Sequence, residues 1–265
     1  MREPKGRVLA IGGSDPGGGA GIQADIKTIT ALGGYGAAAI TAVTVQDTFG
    51  VSAIHPVPPA IIAGQIRAVL SDIGADAIKI GMLGDAETAA AVVEALAEWP
   101  DIPLIVDPVM SAKGGAPLLG EGGLTSLRAL IARAALVTPN APEAEALTGR
   151  TVRTTEDLPA VGRDLLGWGA RAALMKGGHV VGDRVVDVLV TPSGEARFEG
   201  ERIETRHTHG TGCTLASACA TGLAQGLTLE AAVARAFAYT AEAIRRAPGF
   251  GAGAGPLDHG WPARK

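Results

Sequence analysis

Apolar residues along this chain gather into short runs, each ending on glycine, proline or a polar side chain. Val8-Leu9-Ala10-Ile11 stops at Gly12-Gly13, Ala39–Val45 stops at Gln46, and Ala77-Ile78-Lys79-Ile80 stops at Gly81. Leu104-Ile105-Val106 meets Asp107-Pro108, Ala135-Leu136-Val137 meets Thr138-Pro139-Asn140, and Ala172-Ala173-Leu174-Met175 meets Lys176-Gly177-Gly178. Near-continuous apolar runs without alternation suit strands covered on both faces, as in a parallel sheet lying between helices. Helical patterns fall between them, over Ala20–Ala31, Pro59–Ile73, Ala86–Glu98, Glu121–Ala132, Glu143–Leu147 and Thr155–Gly167. Val185–Val190 and Ala196–Ile203 predict a hairpin turning through Pro192-Ser193-Gly194. Two longer helices follow, Thr211–Ala224 and Leu229–Arg246, and then an irregular tail from Pro248. With no internal repeat and no long linker, residues 1–265 read as one α/β domain.

This layout bears on function, because open α/β sheets bind ligands beyond the carboxyl ends of their strands. Gln46, Asp107, Asn140 and Lys176 all stand at such ends and are expected to share one cleft.

Composition narrows the ligand. Hydrophobic residues make up 47% and charged residues 19%, enough for a large core. Aromatics at 3% leave little for stacking single-stranded nucleic acid, and a net charge of −4 without a basic block argues against any nucleic-acid partner. The basic start, Met1 to Arg7, leads into too short an apolar run for a secretion signal. No stretch approaches the ~18 apolar residues of a membrane span, so the expected location is the cytoplasm. Cys213 and Cys219 lie six apart in one helix and face different ways, which disfavours a disulfide or a zinc pair.

The strongest local motif is Thr208-His209-Gly210-Thr211-Gly212-Cys213-Thr214, leading straight into a helix. Glycines admit a ligand close to the backbone, and the first helical turn offers unpaired N–H groups that hold anions. The same sequence also suits an ordinary glycine-rich helix entry. Cys213 in that first turn is expected to have a thiol pKa below the usual ~8.5, able to take a proton or attack a carbonyl; the alternative is a small buried packing residue. Asn140-x-x-Glu143 offers oxygen ligands for hydrated Mg²⁺, or else a helix cap. Asp107 adds a carboxylate or makes a turn, Lys176 meets a nucleotide phosphate or solvent, and Gln46 reads a heterocycle or satisfies backbone. Gly19-x-Gly21-x-x-Ala24 matches a dinucleotide fingerprint only formally, since several residues separate it from the strand, and no P-loop pattern is present.

Taken together, the motifs resemble the hydroxymethylpyrimidine/phosphomethylpyrimidine kinases of thiamine biosynthesis, within the ribokinase-like superfamily. The likeness runs from Ile11-Gly12-Gly13-Ser14-Asp15 to Gly255-Pro256-Leu257-Asp258-His259. It passes through Gly18–Asp25, Thr41–Gln46, Lys79–Leu83, Asp107–Met110, Thr138–Asn140, Lys176–His179 and His207–Thr214. It implies a three-layer α/β/α sandwich with a mostly parallel sheet, usually a homodimer, acting on ATP and a small pyrimidine. It implies that Gln46 reads the pyrimidine while Gly13, Ala20, Asp25, Met82 and Val109 line its pocket. Cys213 takes the catalytic-base position, with Gly210, Thr211 and Gly212 as anion hole. Lys176 and Thr208 face ATP, and Asn140, Glu143 and Asp107 organise Mg²⁺. Pro16-Gly17, Ser111 and the histidine-poor tail Gly251–Gly255 depart from the family pattern. A pyridoxal kinase, a silent nucleotide- or pyrimidine-binding regulator and a dinucleotide oxidoreductase are the competing readings.

Overall fold

The computed structural model of the protein describes residues 5–110 and 122–264. Met1–Pro4, Ser111 and the Glu121 helix start expected above lie outside them. The chain alternates strands and helices in the order β1 (Arg7–Ser14), α1 (Gly21–Ala31), β2 (Tyr35–Gln46), β3 (Val51–Pro56), α2 (Pro59–Asp72), β4 (Ala77–Ile80), α3 (Ala86–Leu96) and β5 (Leu104–Val106). It continues through α4 (Gly123–Ala132), β6 (Ala134–Val137), α5 (Ala141–Thr148), α6 (Leu158–Gly167), β7 (Ala173–Met175), β8 (Arg184–Thr191), β9 (Gly194–Glu201), α7 (Thr211–Ala224) and α8 (Leu229–Arg245).

Among the described residues the strands form a nine-stranded sheet in the order β3-β2-β1-β4-β5-β6-β7-β8-β9. From β2 to β7 every pairing is parallel, and β3, β8 and β9 add antiparallel edges. Successive strand residues bury on opposite faces, as the pleat requires. Leu9, Ile78, Leu104 and Val106 pack with α2 to α6 on one side, whereas Val8, Ala77 and Ile105 pack with α1, α7 and α8 on the other. These are three layers, helices over both faces of a mostly parallel sheet.

Local chemistry sets the helix ends. Asp85 caps α3 by accepting from Thr88 N, and Thr228 caps α8 by accepting from Ala231 N. The helix expected from Thr155 starts at Leu158, because the Asp157 carboxylate accepts from the Arg153 and Thr154 N–H groups and folds the preceding residues into a turn. β3 was not anticipated: it is an edge strand, mostly exposed, that carries no buried apolar run. The chain runs outward from β1 through β2 to β3 and then crosses back to β4, so that β2 lies on one side of β1 and β4 on the other. The crevice beyond the carboxyl ends of β1 and β4 is therefore a topological switch point. No helix among the described residues is long and apolar enough to cross a membrane.

Candidate active site

A cavity of about 520 Å³ opens at that switch point, lined from the ends of β1, β2, β4, β5, β6 and β7 and from the start of α7. All the sequence-predicted residues border it, but they play distinct parts.

The loop after β1 is built around Asp15. Its carboxylate accepts from Gly17 N (2.8 Å), Gly19 N (3.0 Å) and Ala20 N (2.8 Å), and His209 Nε2 lies 2.9 Å away. Burial opposes the charge, but His209 and the loop N–H groups together hold the carboxyl below its usual range. The loop meets the His209–Cys213 segment at Gly210, whose φ of +85° is left-handed and whose Cβ, if it had one, would stand 1.7 Å from the Gly19 carbonyl oxygen. Only glycine fits there.

No side chain caps α7, and apart from a long 3.4 Å bond from Thr211 N to the Thr208 carbonyl its N-terminus faces the cavity as an open helix end. Lys176 lies directly beneath, its Nζ 3.1 Å from where a Gly212 Cβ would be. That ammonium bonds Asp107 Oδ1 at 2.9 Å and sits 3.8 Å from Glu143 Oε2, while Thr138 Oγ1 donates to the same Asp107 oxygen. Burial works against the Lys176 charge, yet Asp107 and Glu143 outweigh it and raise its pKa. Glu143 itself is pushed up to about 7 by burial and by Asp107, against the pull of Lys176.

Asn140 and Glu143 form a reciprocal capping box on α5: Asn140 Oδ1 accepts from Glu143 N, and Glu143 Oε2 accepts from Asn140 N. The capping alternative is thus realised and engages the Asn140 oxygen, leaving Asp107 and Glu143 as the charged donors at the cavity.

Asp25 borders the cavity without exposing surface to it. It is fully buried, with both oxygens taken by Lys79 Nζ (2.8 and 2.9 Å) and one also by Ser217 Oγ (2.7 Å). It supports the wall from behind. Burial pushes its carboxyl up. Burial also opposes the Lys79 charge, but Asp25 and the other acidic neighbours overcome it and raise that pKa.

Cys213 reverses its expectation. Its thiol is pushed up to about 11, because burial outweighs the lowering by Lys79 and by the Gly21 N–H, and Asp25 and Asp107 add to the rise. The helix end alone does not produce a thiolate in the ligand-free chain.

Opposite the charged side, Met82 packs with Ala42 and Val109 and, with Gly13 and Ala20, makes an apolar wall. Gln46 faces this wall, and Thr208 and Thr211 complete the rim. Four residues escaped the sequence reading as participants. Lys79 was visible as a cation inside an apolar run, and Asp187, whose carboxyl burial lifts to about 6, interrupts the run of β8. Asp15 and His209 stand out in the sequence only as parts of motifs, and nothing in the sequence pairs positions 194 residues apart. The arrangement offers an open helix N-terminus over a buried lysine, two carboxylates beside it, and a slot with one apolar wall and one amide. It suits an anionic group meeting a flat polar ring.

The family model for phosphomethylpyrimidine kinase matches residues 15–258. The bifunctional thiamine biosynthesis protein ThiED of Geobacter sulfurreducens is 51% identical over 97% of the chain, which spans 52% of that relative's length. A hydroxymethylpyrimidine/phosphomethylpyrimidine kinase of Streptomyces coelicolor is 47% identical over 96% of this chain and 94% of its own. Among solved structures, the Staphylococcus aureus pyridoxal kinase in complex with AMP-PCP and pyridoxal has a TM-score of 0.88 and 33% identity, covering 97% of this chain and 94% of that one.

Proposed function

The chain belongs to the phosphomethylpyrimidine kinase family, and from that premise we propose that it transfers the γ-phosphoryl group of ATP to 4-amino-5-hydroxymethyl-2-methylpyrimidine and then to the monophosphate. The single observation that carries this reading is the uncapped N-terminus of α7 over Lys176, beside a slot closed by Gln46 and Met82. The N–H groups of Gly210, Thr211 and Gly212 neutralise charge on the phosphoryl group as it moves, with Lys176 below them. Gln46 and the apolar wall of Gly13, Ala20, Met82 and Val109 hold the ring, and Cys213 receives the proton of the attacking hydroxyl. Thr208 borders the nucleotide side.

Mg²⁺ fits the donor set that is present. Glu143 and Asp107 are hard oxygen donors, and burial, which raises the Glu143 pKa to about 7 against the pull of Lys176, leaves a carboxylate that a bound cation would help to ionise. No group of three metal-ligating side chains occurs among the described residues. Asp107 and Glu143 would therefore hold a largely hydrated ion, the usual habit of Mg²⁺. When bound it would neutralise phosphate charge. Removing Mg²⁺ with EDTA should stop turnover without changing the melting temperature of the ligand-free protein.

A coupled assay of ADP release, with the pyrimidine alcohol and then its monophosphate, tests the reading; absence of ADP with both refutes it. Cys213→Ala should lower kcat by about 10²–10⁴ with KM for ATP nearly kept, and wild-type turnover would remove Cys213 from its role. The solved pyridoxal kinase keeps a second substrate in view, and the ratio of kcat/KM for the pyrimidine alcohol and pyridoxal decides between them. A homodimer in the cytoplasm belongs to the same proposal. It is supported by Val43, Val45 and Ile54, exposed on the β2–β3 edge, and light scattering at the chain mass alone would refute it.

A further inference from the structure

His209 Nε2 faces two partners at once: Asp15 Oδ2 at 2.9 Å and the Gln46 amide at 3.2 Å. A ring nitrogen carries one proton or one lone pair, so what it offers to one partner it must offer to the other. Asp15 decides which. Its Oδ1 accepts from Gly17 N and its Oδ2 from both Gly19 N and Ala20 N, so the carboxylate is committed as an acceptor. His209 Nε2 therefore carries the proton. The Gln46 atom facing it, assigned as Nε2, must instead accept, which exchanges the two ends of the amide and makes that atom the carbonyl Oε1, reached by the longer limb of a shared hydrogen bond.

The other end of the amide gives the same answer independently. Thr44 Oγ1 has one proton, donated to the Ser14 carbonyl at 2.9 Å. It contacts the Gln46 amide at 3.3 Å and can there only accept, so the amide end beside it is the NH₂. Both ends fix one orientation.

We propose that His209, held by Asp15, is a positioning residue that locks Gln46 with Oε1 toward the imidazole and Nε2 toward Thr44 and the cavity. One Nε2 proton is used by Thr44. The other is presented to the ligand, so the slot selects flat heterocycles that bring an acceptor, such as a ring nitrogen, to this point. Without His209 the amide turns freely between donor and acceptor faces, and part of the recognition is lost. The inference rests on the kinase reading for the identity of the ligand, but not for the placement of the proton.

The ¹⁵N shifts of the His209 side chain in the ligand-free protein test that placement directly. A protonated Nε2 is expected, and an Nε2 without a proton overturns the proposal whatever the enzyme's substrate. For the positioning role, His209→Leu removes the donor, while His209→Gln sets an amide N–H near the same point. Leucine should raise KM for the pyrimidine alcohol about 10-fold or more, with KM for ATP within about 2-fold. Glutamine should restore most of the loss. In a Gln46→Leu background, adding His209→Leu should change KM by less than about 2-fold. An undiminished effect there, or equal losses for both substrates, refutes the coupling to Gln46. A wild-type protein inactive on the pyrimidine alcohol would instead refute the kinase reading and leave the ¹⁵N result standing.

Discussion

Glu143→Gln offers the sharpest check on the charge balance under α7. Glu143 is buried beside Asp107 and Lys176, with a carboxyl raised from the ordinary 4.5 to about 7. Both folded and unfolded chains hold the proton below pH 4.5. Between 4.5 and 7 the native chain binds a proton that the unfolded chain has lost, so stability falls as pH rises, and above 7 it levels off. At about 1.4 kcal/mol per pH unit of displacement, the rise amounts to about 3 kcal/mol. Glutamine keeps a carbonyl for the Asn140 N–H, so its effect on the capping box is a constant offset. The stability of Glu143→Gln relative to wild type should therefore grow by about 3 kcal/mol from pH 4.5 to 8. Taking this difference cancels other titrating groups such as Asp187 and His259. Urea unfolding of both proteins at half-unit pH steps measures it, and a difference flat across that range would refute the raised pKa and the burial that causes it.

Other consequences of the same geometry are simpler to state. With its thiol near 11, Cys213 should react slowly with iodoacetamide at pH 7 and about 10-fold faster per pH unit up to that value, and a plateau below pH 9 would contradict its burial. Lys79→Met leaves Asp25 buried without its cation and should cost about 3–5 kcal/mol in denaturant unfolding, far more than Lys79→Met with Asp25→Leu; equal losses would refute the cost assigned to the orphaned carboxylate. Gly210→Ala must move Gly19 or abandon a left-handed φ, so the melting temperature and kcat should both fall, and an unaltered variant would disprove the contact between the two loops.

Much of the fold was legible because buried parallel strands announce themselves. Ala77–Ile80, Leu104–Val106 and Thr211–Ala224 have the very bounds that their apolar runs suggest. β3 was not, since an exposed edge strand has no hydrophobic pattern to read. The site was legible as positions more than as partnerships. Strand ends located Gln46, Asp107, Asn140 and Lys176, because parallel topology alone brings such ends together. The Asp25–Lys79 pair, the Asp15–His209 bond and the height of the Cys213 pKa depend on contacts across 54 and 194 residues and on burial, which no local pattern encodes.

That last reversal changes how Cys213 is understood on the proposed reading. Forming a thiolate at pH 7 from a thiol near 11 costs about 5 kcal/mol, so only a small ionised fraction of the ligand-free chain could serve as base. Phosphoryl transfer makes a light demand on that base. In a loose transition state the attacking oxygen forms little bond and keeps its proton late, so rate depends mainly on position and on charge neutralisation at the phosphoryl oxygens. Those tasks fall to the α7 N-terminus and Lys176, both fixed before any ligand arrives. To take that late proton Cys213 must already be a thiolate, its own proton given up to solvent beforehand. The Lys79 ammonium lowers the cost of that prior ionisation, against the desolvation that raises it. The helix start and the thiolate thus act in sequence, the first on the charge that moves and the second on the proton left behind.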